Sequence, residues 1–339
     1  MFACKSIPLR SKRIIMKDKF VSDIKKIVVF GGGTGLSCLL SGLKLFPIDV
    51  TTVIAVSDNG SSTGVLKEEL DIPAVGDVGK VLLSMANVDE DFINLLQYRF
   101  EKDGSLHNHP VRNIMLAALI DTKGNLTEAT KYMAKILNVK GTVLPLTEEK
   151  VDLVGKGSNG EYYGEEEVSL NIKNIDRLCY DHEVHVNDEI IQKIKGSDLV
   201  IFSPGSLYTS ILPHLLSKQV VDALDECKAP IMYVSNLVTQ PGETDEYSVG
   251  DHIKVLNRYL NNRKIDIVVA NNAHIDQKII DRYFTTENKT PVLIDTSLTD
   301  DPDVEIIEGH VFNIENGKIR HDPLKTAYLI FSYLMDRLS

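Results

Sequence analysis

Apolar positions along the chain follow two rhythms. From Lys25 onward, short β-branched runs alternate with longer stretches whose apolar residues recur every three or four positions. Continuous runs such as "KIVVF" and "DLVIF" mark strands covered on both faces, and the amphipathic stretches between them mark the covering helices. The pattern predicts a first strand at "KIVVF", a helix from Leu36 to Leu45, a second strand at "DVTTVIAVS", and helices at "HPVRNIMLAALID" and "LTEATKYMAKILN". The alternation returns at "DLVIFSPGSLYTSILPHLL", "PIMYVSNLVTQPGETDEYSVGDHIKVL" and "IDIVVANN". Such an order predicts an α/β fold with a doubly wound, mostly parallel, Rossmann-like sheet.

Between about 141 and 188 the rhythm breaks. "GTVLPLT", "KVDLVGKGSNGEYYGEEEVSLNI" and "HEVHVN" are β-rich, with Asn159-Gly160 where a hairpin turn belongs, so a small antiparallel excursion is expected there. Residues 25–339 then read as a single domain carrying this insertion. Residues 1–24 are basic and lack an apolar stretch followed by a small-residue cleavage site, so a disordered arm is expected rather than a secretory signal, with Met16 as an alternative start to Met1. No fixed-period repeat and no low-complexity segment is present.

Composition narrows the function classes. The 339 residues carry a formal charge of −11, which argues against broad binding to nucleic acid or to an anionic membrane, though not against a local basic pocket. The longest apolar run, "IMLAALI", falls far short of the roughly 20 residues a membrane span needs, so membrane insertion is not expected. Cys4, Cys38, Cys179 and Cys227 form no C-x-x-C pair, as expected of reduced thiols in a cytoplasmic protein.

Four strand exits carry the candidate chemistry. The first is Gly31-Gly32-Gly33-Thr34-Gly35, where glycines let a ligand approach the backbone and the following helix start offers free amides to an anion. It is not a P-loop, because Leu36 and Ser37 follow Gly35, and it lacks the third glycine of the dinucleotide fingerprint. Asp58 at the second strand's end keeps only a weak nicotinamide reading alive. The second exit, Ser57-Asp58-Asn59-Gly60-Ser61-Ser62-Thr63-Gly64, could bind phosphate through its donors and a hard cation through Asp58, or could simply form an Asx-turn and helix cap. Asp77 in "IPAVGDVGK" could complete a magnesium shell or cap a helix. His107 and His109, in "SLHNHPVRN" with Asn113, lack zinc-type spacing and read as loop hydrogen-bonding residues. The third exit holds Ser203, Gly205, Ser206, Leu207 and Thr209, and the fourth holds Asn236, Thr239, Gln240, Gly242, Glu243 and Thr244. Ligands sit outside the carboxyl ends of strands in open α/β sheets, so four polar exits in one chain point to a phosphorylated ligand. No Gly-x-Ser-x-Gly elbow appears, and nothing nominates a covalent nucleophile.

In order and spacing, "GGGTGL", "DNGSSTGVL", "DIPAVGD", "FSPGSLYTSILP", "NLVTQPGETDEYSVGDHIKVL", "ANN" and "RHD" resemble the gluconeogenesis factor (YvcK-type) branch of the CofD-like proteins, over about residues 25 to 330. The resemblance implies a CofD-like doubly wound fold. It also implies a cytoplasmic regulatory protein of cell shape and wall synthesis during gluconeogenic growth, which binds UDP-sugars such as UDP-N-acetylglucosamine and engages a protein partner in wall metabolism; a homodimer is a further expectation. The CofD branch implies the alternative, a magnesium-dependent transferase of 2-phospholactate from a nucleotide-activated donor, with Asp58 and Asp77 as metal or phosphate neighbours. By the same resemblance Tyr283 and Arg320 contact the sugar nucleotide, an exposed tyrosine stacking on uracil and an arginine pairing with diphosphate. The chain departs from the family pattern at three places: Lys67 stands for an arginine, Gly79-Lys80 for Arg-Asn, and Arg112 for a glycine. Lysine is a weaker bidentate partner than arginine, so these changes bear on the ligand rather than on the fold.

Overall fold

Strand β1 (Lys26–Gly31) lies inside a seven-stranded sheet, paired with β2 (Asp49–Ile54) on one side and β7 (Leu199–Phe202) on the other. The computed structural model describes residues 24–172, 175–295, 298 and 303–337, so the expected basic arm, with Met1 and Met16, lies outside the described residues. The sheet is completed by β3 (Thr142–Pro145), β8 (Ile231–Val234), β9 (Ile267–Asn271) and β10 (Glu305–Gly309), in the order β10-β9-β8-β7-β1-β2-β3, every pairing parallel. Strand order therefore runs one way from β1 and the other way from β7. The crevice between those two strands is the topological switch point, where ligands of such sheets bind.

Helices cover both faces, which is why the strands read as unbroken apolar runs. Ile27, Val28, Val29 and Phe30 are buried, as are all four residues of β7. Phe30 stacks on Phe202 at 5.5 Å between ring centroids. Each such side chain contributes about 1.5–3 kcal/mol by burial. Helix α1 (Gly33–Leu43) packs on α3 (Gly76–Met85) and on the helix Pro323–Arg337. Between α1 and α3 the chain forms α2 (Ser61–Leu70), and after α3 come α4 (Glu90–Gln97), α5 (Val111–Lys123) and α6 (Leu126–Ile136). The two helices expected from "HPVRNIMLAALID" and "LTEATKYMAKILN" are thus α5 and α6. Helix α1 begins three residues earlier than its apolar periodicity suggests, because the glycine loop itself winds its first turn.

The antiparallel excursion is smaller than the sequence suggests. It contains β4 (Leu153–Gly157), β5 (Gly160–Tyr163) and β6 (Ile175–Tyr180), in the order β5-β4-β6. "GTVLPLT" lies outside it: Thr142 pairs with Thr51, making β3 a strand of the main sheet. "HEVHVN" forms no strand. Gly157 pairs with Gly160, so the turn is Ser158-Asn159, one residue before Asn159-Gly160. Helix α7 (Glu165–Asn171) follows β5 and turns back toward the strand exits. Beyond it lie α8 (Asp188–Lys195), α9 (Lys218–Glu226), α10 (Val249–Tyr259) and α11 (Gln277–Glu287), and a hairpin of β11 (Phe312–Glu315) with β12 (Lys318–His321). Among the described residues no helix is long and apolar enough to cross a membrane.

Candidate functional site

The exits of β1, β7 and β8 meet in one cleft. Gly35 approaches the β7 loop so closely that a Cβ there would stand 2.0 Å from the Pro204 carbonyl oxygen. The β7 and β8 loops are tied by Asn236, whose Oδ1 accepts from the Gly205 amide at 3.1 Å and whose Nδ2 donates to the Gly205 carbonyl at 2.8 Å. The cleft, of about 300 Å³, is lined by Gly32, Gly33, Thr34 and Gly35 from the first loop, Gly205 and Ser206 from the third, Asn236, Thr239 and Gln240 from the fourth, and Arg320 from β12. Helix α1 starts here on Gly32 with no side-chain cap and no acid in its first turn. Its first amides have no partner within the helix, and the positive end of its dipole faces the cleft. Arg320 is exposed, and its guanidinium makes no direct hydrogen bond or ion pair among the described residues, although Glu287 and Cys38 feel its charge. An uncapped helix start facing an unpaired guanidinium is an arrangement for an anion.

Behind this surface several predicted residues act as framework. Glu243 is buried and accepts from Gln240 Nε2 at 2.6 Å, from Ser169 Oγ at 2.8 Å and from Ser206 Oγ, and burial pushes its carboxyl above the ordinary range. Thr244 Oγ1 accepts from the Gln240 amide at 2.9 Å. The Gly242 amide donates to Asp245 at 2.8 Å, and Leu207 is fully buried. These residues hold the third and fourth loops in register without lining the cleft.

The second exit is placed differently. Asp58 Oδ1 accepts from the Gly60 amide at 2.9 Å, the Asx-turn alternative. Ser62 Oγ lies 2.8 Å from His109 Nδ1, and Asn113 Nδ2 donates to Ser62 at 3.3 Å, all three side chains being buried. Thr63 is buried against Gly76, Gly64 packs on the Asn59 backbone, and Asn59 Oδ1 accepts from the Glu166 amide at 3.1 Å. His109, Asn113, Ser62, Thr63, Asn59 and Gly64 therefore bind one another or neighbouring loops, and none lines the cleft. One expected contact is corrected. Tyr283 is 5 % exposed and accepts the Ile319 amide at 2.6 Å, so its ring has no free face for a base; it seats the hairpin that presents Arg320. Lys67, where the family pattern has arginine, is fully buried, donating to the Val151 carbonyl at 2.7 Å and to Asp152 at 2.6 Å, where it anchors the approach to the antiparallel excursion.

Asp58 and Asp77 stand together beside the glycine loop. A Cβ on Gly32 would lie 2.7 Å from Asp77 Oδ2, and one on Gly76 would lie 3.1 Å from Asp58 Oδ2. Burial, and then the negative Asp77, raise the Asp58 carboxyl. Glu165, from the start of α7, joins them: burial first, then Asp58 and Asp77, hold it well above the usual range. Asp77 Oδ1 accepts from Lys80 Nζ at 2.8 Å. No group of three or more His, Cys, Asp or Glu among the described residues is arranged as a metal cage. Two crowded carboxylates nevertheless fit magnesium, which takes few protein ligands and keeps several waters. Sequence reasoning missed Glu165 beside the aspartates, and in the cleft lining it missed Lys289, Ser210, Cys38 and His321, together with the apolar Leu237, Val238 and Ile319. Only the acid run after Gly164 and the "RHD" motif carried any local signal for them.

The chain's relatives show its family. The family described as 2-phospho-L-lactate transferase CofD matches residues 27–312. A gluconeogenesis factor of Bacillus subtilis is 37% identical over 92% of this chain and 98% of its own length. A putative gluconeogenesis factor of Clostridium acetobutylicum is 38% identical over 96% of this chain and 72% of its own. A crystal structure of a UPF0052 family protein from Bacillus halodurans superposes with a TM-score of 0.87 at 34% identity, covering 90% of this chain and 99% of that one. A second crystal structure from that organism gives 0.88 at 33%, covering 91% and 100%. A parallel sheet with its glycine loop at the switch point, shared over nearly the whole chain with proteins called gluconeogenesis factors, makes this chain a member of the CofD (UPF0052) family, in its gluconeogenesis factor branch.

Proposed function

We propose that the chain is a cytoplasmic regulatory protein that binds a UDP-sugar, such as UDP-N-acetylglucosamine, across the β1, β7 and β8 exits, and that this binding governs its engagement of a partner in wall metabolism and cell shape. The observation that carries the reading is the uncapped start of α1 sharing one cleft with the exposed Arg320 guanidinium. A diphosphate would take the Gly33, Thr34 and Gly35 amides, with Arg320 and Lys289 neutralising its charge. Calorimetry with UDP-N-acetylglucosamine, GDP and NADH, each with and without magnesium, tests it: micromolar or tighter UDP-sugar binding without turnover is expected, and tight binding of NADH alone would replace this reading.

A second reading, a transferase acting on a nucleotide-activated phospholactate, is favoured by the crowded Asp58, Asp77 and Glu165 carboxyls. Asp58 and Asp77 would hold magnesium, whose charge would offset that of the phosphoryl group. Glu165, whose carboxyl is held well above the usual range by burial and then by Asp58 and Asp77, would stand beside that pair. Nucleotide release from the activated donor, lost in Asp58→Asn with an unchanged circular dichroism spectrum, is the expected signature; equal release by variant and parent would end it.

A further inference from the structure

A second cavity, of about 440 Å³, opens on the other side of the glycine loop and shares Thr34 with the first. Its lining brings together Lys80, Arg99 and Arg112, with Thr34 and Gln97 as neutral donors, and includes no acid. In a chain whose net charge is −11, three cations around one cavity are a local reversal of sign.

Arg112 is the informative member. It is 6 % exposed, and its Nε is buried without a hydrogen-bond partner. It sits in the first turn of α5, the end of a helix that disfavours a cation. Its stem lies over Gly79, where a Cβ would come within 3.1 Å of Arg112 Cδ. Burial, and then the neighbouring Arg99, pull its pKa down to about 10, so the guanidinium stays charged in surroundings that oppose the charge. Its buried Nε lacks a hydrogen-bond acceptor, and an anion bound in the cavity would supply one. Lys80 and Arg99 are already anchored, Lys80 to Asp77 at 2.8 Å and Arg99 to the Asn108 carbonyl at 2.6 Å, so both are held in place as walls.

We propose that this cavity is a second anion site, taking the phosphoryl group of a small phosphomonoester or of free phosphate, bound as a separate molecule beside whatever occupies the glycine-loop cleft. Arg112 supplies the buried charge-assisted hydrogen bonds, Arg99 and Lys80 the flanking charge, and Thr34 a hydroxyl. The two sites touch through Thr34, so occupation of one would be felt at the other.

The full chain is titrated calorimetrically with inorganic phosphate and with glycerol 3-phosphate, alone and with saturating UDP-N-acetylglucosamine, and its thermal midpoint is followed by circular dichroism. Both anions are expected to bind and to raise the midpoint. Arg112→Gln should weaken them at least about tenfold, raise the midpoint in the absence of anion, and leave UDP-N-acetylglucosamine affinity within about twofold. Tighter binding of the monoester would assign the cavity to an organic phosphate, and tighter binding of phosphate to the free ion. Arg99→Ala, at an exposed position, gives the same reading with a smaller loss should Arg112→Gln fail to fold. Absence of binding by either anion, equal affinity in parent and variants, or displacement of the anion by UDP-N-acetylglucosamine with both weakened by Arg112→Gln, would overturn the proposal. Failure of UDP-N-acetylglucosamine to bind would remove the reading of the first cleft and leave the anion result standing.

Discussion

Gly35 has no side chain because the Pro204 carbonyl occupies the place where one would go. Gly35→Ala should therefore push the first and third loops apart and cost about 3 kcal/mol through overpacking against backbone that cannot yield. Urea denaturation followed by circular dichroism measures this, since the chain has no tryptophan to report by fluorescence; an unchanged midpoint would show that the contact yields easily. Arg320 is the opposite kind of residue, exposed and unpaired, so Arg320→Ala should leave the midpoint in place and weaken UDP-sugar binding at least about tenfold by calorimetry. At Gly79 and Arg112 the guanidinium stem reaches across from α5 over a bare glycine of α3.

Among the elements, the β11–β12 hairpin depends on α11. Tyr283 accepts the buried Ile319 amide, so Tyr283→Phe strands that N–H and should cost about 1–3 kcal/mol. UDP-sugar affinity should fall less than in Arg320→Ala, because the guanidinium is loosened rather than removed; equal affinity in Tyr283→Phe and the parent would detach the hairpin's position from binding. How much of the molecule the sequence announced follows from the same division. The parallel strands were legible because burial on both faces leaves no polar residue within "LVIF", and the glycine loop because only small residues permit its approach to Pro204. Strands β3 and β10 were not: the four residues of β3 resemble the antiparallel segment that follows and only pairing with Thr51 places them, while β10, "EIIEG", is a half-exposed edge strand. Glu165, Lys289 and the Arg112 cavity were illegible for the same reason: tertiary packing, not local spacing, brings them to the strand exits. Tyr283 was legible as an important aromatic but not as a buried one, because its letter is the same in either setting.

At the scale of the whole molecule, buried histidines set the acid limit. His214 is fully buried between the Ile211 and Val53 carbonyls, and burial lowers its pKa to about 4; burial does the same at His321. A folded value below the unfolded one means that the unfolded chain binds more protons between about pH 6.5 and 4, so stability falls as pH drops through that window. At pH 5 the loss is about 2 kcal/mol for His214 by linkage. Asp58, Glu165 and Glu243 are raised and act the other way, losing stability as pH rises. The clean measurement is thus a difference: denaturation of the parent and of His214→Gln at pH 7 and pH 5. The variant should lose about 2 kcal/mol less over that interval, and parallel losses would show that His214 does not titrate on unfolding.

Strand β1 ends at Gly31, yet its neighbour on the site-forming side begins only at Leu199, and the hairpin bearing Arg320 comes later still. During synthesis the amino-terminal strands emerge with one flank of the central strand unfilled, and chains made this way expose apolar surface until the missing neighbour arrives. The cleft at the β1, β7 and β8 exits is accordingly among the last parts of the chain to come into being on the ribosome. A nascent chain halted before residue 199 would carry its glycine loop without the β7 and β8 loops that face it.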